Sequence, residues 1–207
     1  MVTILVVFHS ATGLTWRMAE AVAAGAGSVD GCNVIVKQVP EIAGIEKVLG
    51  PDGASGRAPT EAVPEVEVRD LEACDGIAIG TPVYLGNMSP AMNFFLSQTG
   101  KYWMDGTLTG KPATVFTGAG SGGGSEAAIM GAWSLLATHG MTIVPLGKRA
   151  SGLADLTSPH GGGPFGAGSI GGGPGERPSS AEKAIAGIQG QALAETALAL
   201  AAGVSSA

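Results

Sequence analysis

The sequence is poor in the residues that build metal centres and disulfide frameworks, with two cysteines, three histidines and a 14% share of charged residues among 207. Cys32 and Cys74 stand far apart, form no C-x-x-C pair and border apolar segments, so they read as reduced, packed thiols. His9, His139 and His160 show no ligand spacing, and no metal is expected. Basic residues are scarce, 11 against 17 acidic for a net charge of −6. Without a basic stripe to displace counterions from phosphates, nucleic acid is excluded as a partner. No uncharged apolar run approaches the about 18 residues of a membrane span, and residues 1–8 carry neither a basic n-region nor a cleavage site. A cytoplasmic protein with no integral membrane segment is expected. A G-x-S-x-G elbow and an aspartate cluster after the first strand are both missing, which removes hydrolase and phosphorelay readings.

What is present is apolar residue, at 45%, and glycine, at 35 positions. That balance excludes disorder, and a chain of this length buries about 70% of its unfolded surface, as a single domain over residues 1–207. Residues 3–8 (TILVVF), 33–39, 76–81 (GIAIGT), 112–117 (PATVFT) and 142–146 are short apolar runs of the kind that forms strands covered on both faces. Helical patterns lie between them. One carries Met18, Val22 and Ala26 with Gly25 and Gly27 as stops, and another is capped by Ser89, has Pro90 at its first position and closes at Gly100. A third runs through Ile129, Trp133 and Leu136 to Gly140. This alternation predicts an α/β fold with a doubly wound, five-stranded parallel sheet.

Residues 40–64 form a long connection with Pro51-Asp52-Gly53 turn chemistry, and connections of that length are usually functional or mobile. The glycine-rich segment at 161–175 has the composition of a flexible linker, while Phe165 and Ile170 argue for docking. Ser179-x-x-Glu182 is a capping box opening a C-terminal helix from about residue 180. Gly187 and Gly190 each cost that helix about 1 kcal/mol against alanine, which predicts fraying.

Ligands of open parallel sheets bind beyond the carboxyl ends of the strands, and there this sequence is rich in Ser, Thr and Gly. Ser10-Ala11-Thr12-Gly13-Leu14-Thr15 offers three hydroxyls, a glycine turn and the unpaired N–H groups of a helix start, a cradle for an anion. The loop has no lysine or arginine and does not match G-x-x-x-x-G-K-[ST], so a phosphate monoester held by neutral donors fits better than a nucleoside triphosphate. An ordinary capped strand-to-helix turn is the plainer alternative. Gly118, Gly120 and Gly123 match G-x-G-x-x-G, but after the fourth strand and with no acidic residue about 20 positions on, which sets the dinucleotide fingerprint aside. Close backbone approach to a flat ring and a bare flexible loop both stay open there. Tyr84, Trp103 and Phe165 are candidate walls of an aromatic pocket, whereas Trp16 and Trp133 read as packing residues. His139, just before a helix stop, reads from its position as a C-terminal histidine.

Taken in order, a longer set of residues resembles one family nearly end to end. The set begins with Ser10-x-x-Gly13, Met18-Ala19-x-Ala21-Val22-Ala23 and Gly80-Thr81-Pro82 followed by Gly86-Asn87-Met88. It continues with Gln98-Thr99-Gly100 and Trp103, Val115-Phe116 and the glycines through Gly124, and Glu126. His139-Gly140-Met141 and Gly163-Pro164-Phe165-Gly166-Ala167 complete it. The chain thus resembles the flavodoxin-like NAD(P)H:quinone oxidoreductases of the tryptophan-repressor-binding-protein type. The resemblance implies a flavodoxin fold with strand order 2-1-3-4-5, non-covalent FMN, and a homotetramer or dimer. It also implies ping-pong, two-electron reduction of a small-molecule quinone with NADH or NADPH as electron donor.

Carried over by position, the cofactor-binding residues are Ser10, Ala11, Thr12, Gly13, Leu14 and Thr15; Thr81, Pro82, Val83, Tyr84, Leu85, Gly86 and Asn87; Thr117, Gly118, Ala119, Gly120, Ser121, Gly122 and Gly123; and Thr138 with His139. The resemblance makes Trp103 the substrate-stacking residue, with Tyr84 and Phe165 beside the substrate, and gives His139 and Trp103 catalytic roles. The chain departs from the family's usual Tyr at Thr12, His at Leu14, Thr-Arg-Phe at Val83-Tyr84-Leu85 and His-His-Gly at Thr138-His139-Gly140, and it carries an insertion at 51–59. Two other readings stay open: an electron-carrier flavodoxin without small-molecule turnover, and a flavodoxin-fold protein with an altered or lost FMN site.

Overall fold

The computed structural model describes residues 1–43, 62–155, 157, 159–173 and 175–204. The Pro51-Asp52-Gly53 turn and the insertion at 51–59 lie outside them. The strands are β1 (Val2–Phe8), β2 (Cys32–Gln38), β3 (Gly76–Tyr84), β4 (Asn87–Met88), β5 (Pro112–Ala119), β6 (Thr142–Ile143) and β7 (Gly168–Ile170). The helices are α1 (Leu14–Gly27), α2 (Val68–Glu72), α3 (Pro90–Ser97), α4 (Gly100–Asp105), α5 (Ser125–Thr138) and α6 (Ser180–Val204), with a 3₁₀ turn at Ser151–Ala154.

The parallel strands run β2-β1-β3-β5-β6. This is the expected 2-1-3-4-5 order once β4, an antiparallel return on the end of β3, is set aside. Period-two alternation sorts the apolar runs onto two faces. On β1, Ile4, Val6 and Phe8 join the core under α1 and α6, whereas Leu5 and Val7 join the one under α3 and α5.

Two sequence expectations change, and one that was left open is decided. Gly100 does not close a helix: α3 ends at Ser97, and Gly100 opens the short α4, which stops at the left-handed Gly106. The fifth parallel strand shrinks from residues 142–146 to Thr142–Ile143, because β6 pairs only with Pro112 and Ala113. The carboxyl half of the β5 edge is taken by β7, drawn from the glycine-rich segment. That segment docks rather than linking loosely, since a Cβ at Gly166 would fall 2.2 Å from the Val115 carbonyl oxygen.

The predicted capping box is present: the Glu182 N–H donates to Ser179 Oγ at 3.2 Å and the Ser179 N–H donates to Glu182 Oε2 at 2.8 Å. Of the two glycines of α6, Gly190 serves contact rather than fraying. A Cβ at Gly25 of α1 would fall 1.9 Å from the Gly187 carbonyl oxygen, and one at Gly190 would fall 2.0 Å from that of Val22. Only hydrogen at these positions lets the two backbones touch. Gln189, beside this crossing, ties α6 to the sheet: its Oε1 accepts from Ala167 N at 2.7 Å and its Nε2 donates to Val115 O at 2.8 Å.

Candidate functional site

The turn after β1 is built by Gly13, whose φ of 85° places it in the left-handed region as the N-cap of α1. The Trp16 N–H donates to Ser10 Oγ at 3.1 Å, so one orphan donor of the helix start is satisfied from within the loop. Trp16 itself, half-buried, packs its ring 5.1 Å from Phe8 against the core. Thr15 is 1% exposed, yet its hydroxyl has no hydrogen-bond partner among the described residues and borders a cleft. First-turn N–H groups beside a free hydroxyl favour an oxyanion.

The cleft encloses about 490 Å³ at the carboxyl edge of β1, β3 and β5. From the expected set, Ala11, Thr12, Leu14, Thr15, Pro82, Val83, Tyr84, Gly118 and Gly120 line it. Gly118 lets the end of β5 close on the first turn of α1, because a Cβ there would meet Thr15 Oγ1 at 3.0 Å. Tyr84 brings an aromatic wall. Burial and, secondarily, the Glu41 charge hold its phenol above its ordinary pKa, and its buried hydroxyl lacks a hydrogen-bond partner among the described residues. His9, buried at the end of β1, places Nε2 3.1 Å from Glu41 Oε2.

The sequence reading missed the cations. Arg17, Arg177 and Gly171 also border the cleft, so its walls are not made of neutral donors alone. Arg17 was findable, because helical side chains lean toward the N-terminus and a residue four past Gly13 covers the first turn. Arg177 was not, since it arrives from 160 residues away to accept, through its carbonyl, a 2.9 Å hydrogen bond from Arg17 Nε. Its guanidinium donates to Glu182 Oε1 at 3.0 Å and to Pro159 O at 3.2 Å. Burial opposes ionisation of Glu182, but donors from Ile170 N, Ser179 N and Ser169 Oγ, with the Arg177 charge, outweigh it and hold the carboxyl below its ordinary range.

The remaining expected residues lie elsewhere. Thr81 is buried and accepts from Ser89 N at 2.9 Å, supporting the start of α3. Leu85 and Gly86 form the tip of the β3–β4 hairpin, both at positive φ, and Asn87 faces an adjacent groove with Phe94. Thr117 and Ala119 are buried in β5, Thr117 against the β7 side. Ser121 Oγ accepts from Gly123 N within the loop. Gly122 and Phe165 line a separate cavity of about 360 Å³ beside α5, where the Phe165 ring packs tilted against Trp133 at 5.3 Å.

Thr138, His139 and Trp103 lie away from the cleft within one chain. The 14 residues of α5 span about 21 Å, which carries Thr138 and His139 to the amino edge of the sheet. There His139 is hydrogen-bonded to Thr99 at 2.8 Å and burial lowers its pKa. Trp103, on the neighbouring α4, is 54% exposed and borders no part of the cleft. Among the described residues no cluster of three or more His, Cys, Asp or Glu side chains could hold a metal, and no helix is long and apolar enough to cross a membrane.

Residues 2–154 match the family model described as NADPH-dependent FMN reductase. The chain belongs to that family. Solved structures place the fold beside a WrbA-like flavodoxin from Agrobacterium tumefaciens, with 24% identity and a TM-score of 0.66 over 96% of this chain and 99% of the other. A flavodoxin from the domain Archaea is similar at 18% identity and a TM-score of 0.62, covering 95% of this chain and 99% of that one. An oxidoreductase from Corynebacterium diphtheriae gives 17% identity and a TM-score of 0.59 over 96% and 98% of the two chains. The fold is flavodoxin-like.

FMN, the cofactor the family implies, fits the residues present. Its phosphate matches the helix start with its unpartnered Thr15 hydroxyl and Arg17, and a flat ring matches the slot between Pro82–Tyr84 and Gly118–Gly120. As a member of the NADPH-dependent FMN reductase family, the protein is an FMN-binding oxidoreductase.

Proposed function

We propose that the protein is an FMN-dependent NAD(P)H:quinone oxidoreductase. The observation that carries this reading is the cleft itself, which joins an anion cradle at Ser10–Thr15 to a slot with backbone glycines on one side and Tyr84 on the other. FMN, when bound, supplies two-electron redox chemistry between a nicotinamide and a quinone. The chain's part is positioning. Leu14 packs against Gly118 and Gly171 and closes the floor, while Tyr84 offers a neutral face on which a planar donor or acceptor stacks. Because both substrates need the same face of one slot, they enter in turn.

The substrate roles of Trp103 and His139 require a second copy of the chain. Trp103 is exposed, Met104 beside it is exposed, and both stand at the sheet edge opposite their own cleft. A homotetramer or dimer in which one copy's α4 covers another copy's cleft gives Trp103 a stacking role, with His139 behind it. A cytoplasmic site of action, with NADH or NADPH as donor, belongs to the same proposal. Initial rates with donor and quinone varied together test it. Parallel double-reciprocal lines are expected; intersecting lines, or no quinone-dependent oxidation of either nucleotide, overturn it.

A further inference from the structure

The cleft has an unusual electrostatic character for an acidic protein. Two of its 11 basic residues line it, and among the described residues no Asp or Glu does. Arg177 is already engaged by Glu182 and Pro159, so its charge is largely matched by a carboxylate. Arg17 differs. Its Nε donates to the Arg177 carbonyl at 2.9 Å, which fixes the guanidinium plane, and its two terminal amino groups have no partner among the described residues. The guanidinium is thus oriented, half-buried and unspent at the rim of the anion cradle. On the same rim stands Thr15, a buried residue whose hydroxyl also has no partner among the described residues.

We infer that Arg17 is a phosphate-binding residue that selects for a dianionic phosphate monoester in the cleft, here the phosphate of FMN over uncharged riboflavin. The inference rests on the proposed flavin site and extends it to a residue outside the loop. The chemistry follows from the fork of donors: a guanidinium fixed at Nε presents its remaining N–H groups to two oxygens of one phosphate, in a charge-assisted contact that neutral loop donors do not supply. The Glu182 carboxylate behind Arg177 sets the geometry indirectly. It holds the chain from Gly161 to Ile170 and the Arg177 side chain, so the carbonyl that receives Arg17 Nε is fixed. In a molecule of net charge −6, one oriented cation at the mouth of the cleft also focuses an otherwise repelled dianion.

Flavin fluorescence quenching tests the inference, with FMN and riboflavin each titrated into wild type, Arg17→Gln and Arg17→Lys at low and high salt. The wild type should bind FMN more tightly than riboflavin. Arg17→Gln should raise the Kd for FMN by about tenfold and flatten its salt dependence, with the riboflavin Kd unchanged and the thermal midpoint preserved. Arg17→Lys should recover part of the FMN affinity. Equal losses for both flavins, or no loss for either, overturn the assignment while leaving the flavin site standing. A wild type that binds neither flavin overturns the site itself and the inference with it.

Discussion

The contact between α1 and α6 allows a prediction whose sign differs at two glycines three residues apart. In a helix interior, Gly→Ala is worth about 1 kcal/mol in backbone terms, and on propensity alone Gly187→Ala and Gly190→Ala should both stabilise. The structure separates them. A Cβ at Gly187 would sit 3.7 Å from the Ala21 carbonyl oxygen, an ordinary contact, so the gain is kept. A Cβ at Gly190 would sit 2.0 Å from the Val22 carbonyl oxygen and 3.0 Å from Ala26 N, both backbone atoms on the buried face of α1. Relief requires α6 to move away from α1, but Gln189 holds it to Val115 and Ala167. Overpacking of this kind costs about 1–3 kcal/mol and outweighs the propensity gain.

At about 2–4 °C per kcal/mol for a chain of this size, Gly187→Ala should raise the thermal midpoint by a few degrees and Gly190→Ala should lower it. Thermal unfolding followed by far-UV circular dichroism reads both. If both variants melt above wild type, the close crossing is not what the glycines are for. Because α6 begins with the Glu182 cap that secures Arg177, Gly190→Ala should also weaken FMN binding, whereas Gly187→Ala should not.

Other expectations concern the cleft and its support. Gly13→Asp should raise the Kd for FMN by about a hundredfold or more, since φ at 85° disfavours a side chain and a carboxylate would face the phosphate; an unchanged Kd in a fluorescence titration would remove the loop from the site. Trp103→Ala should lower kcat/KM for a quinone by about tenfold with FMN affinity unchanged, and an equal kcat/KM would exclude the residue from the substrate pocket. The Glu182 carboxyl lies below its ordinary value of 4.5 when folded, so its contribution is present at neutral pH and is lost as the pH falls below about 4.5. Glu182→Gln should therefore cost about 3 kcal/mol at neutral pH, by stranding Arg177, and should flatten stability against pH in that acid window. Denaturant midpoints between pH 3 and 7, of order four units of range, measure it.

The fold was legible because β-branched runs such as TILVVF and PATVFT are too short for buried helices and alternate with patterned helical stretches. The turn from β1 into α1 was legible for a local reason, since Gly13 and the hydroxyls around it act within six residues. What sequence order concealed was long-range. Strand β7 looked like linker because its glycines, which permit contact with Val115 and Gly161, carry no periodic apolar signal. Arg177 entered the cleft through a buried carboxylate that reads in the sequence only as a helix cap. Trp103 and His139 were grouped with the cleft by resemblance, and the length of α5 separates them from it within one chain.

The most direct test of the account is cofactor uptake. Purified protein is incubated with FMN and desalted, its absorbance spectrum is recorded, and NADH or NADPH is added anaerobically before benzoquinone. The account predicts retained flavin bands that bleach with the nucleotide and return with the quinone. A colourless protein after desalting would contradict it, because a cleft with these donors would then not hold FMN at all.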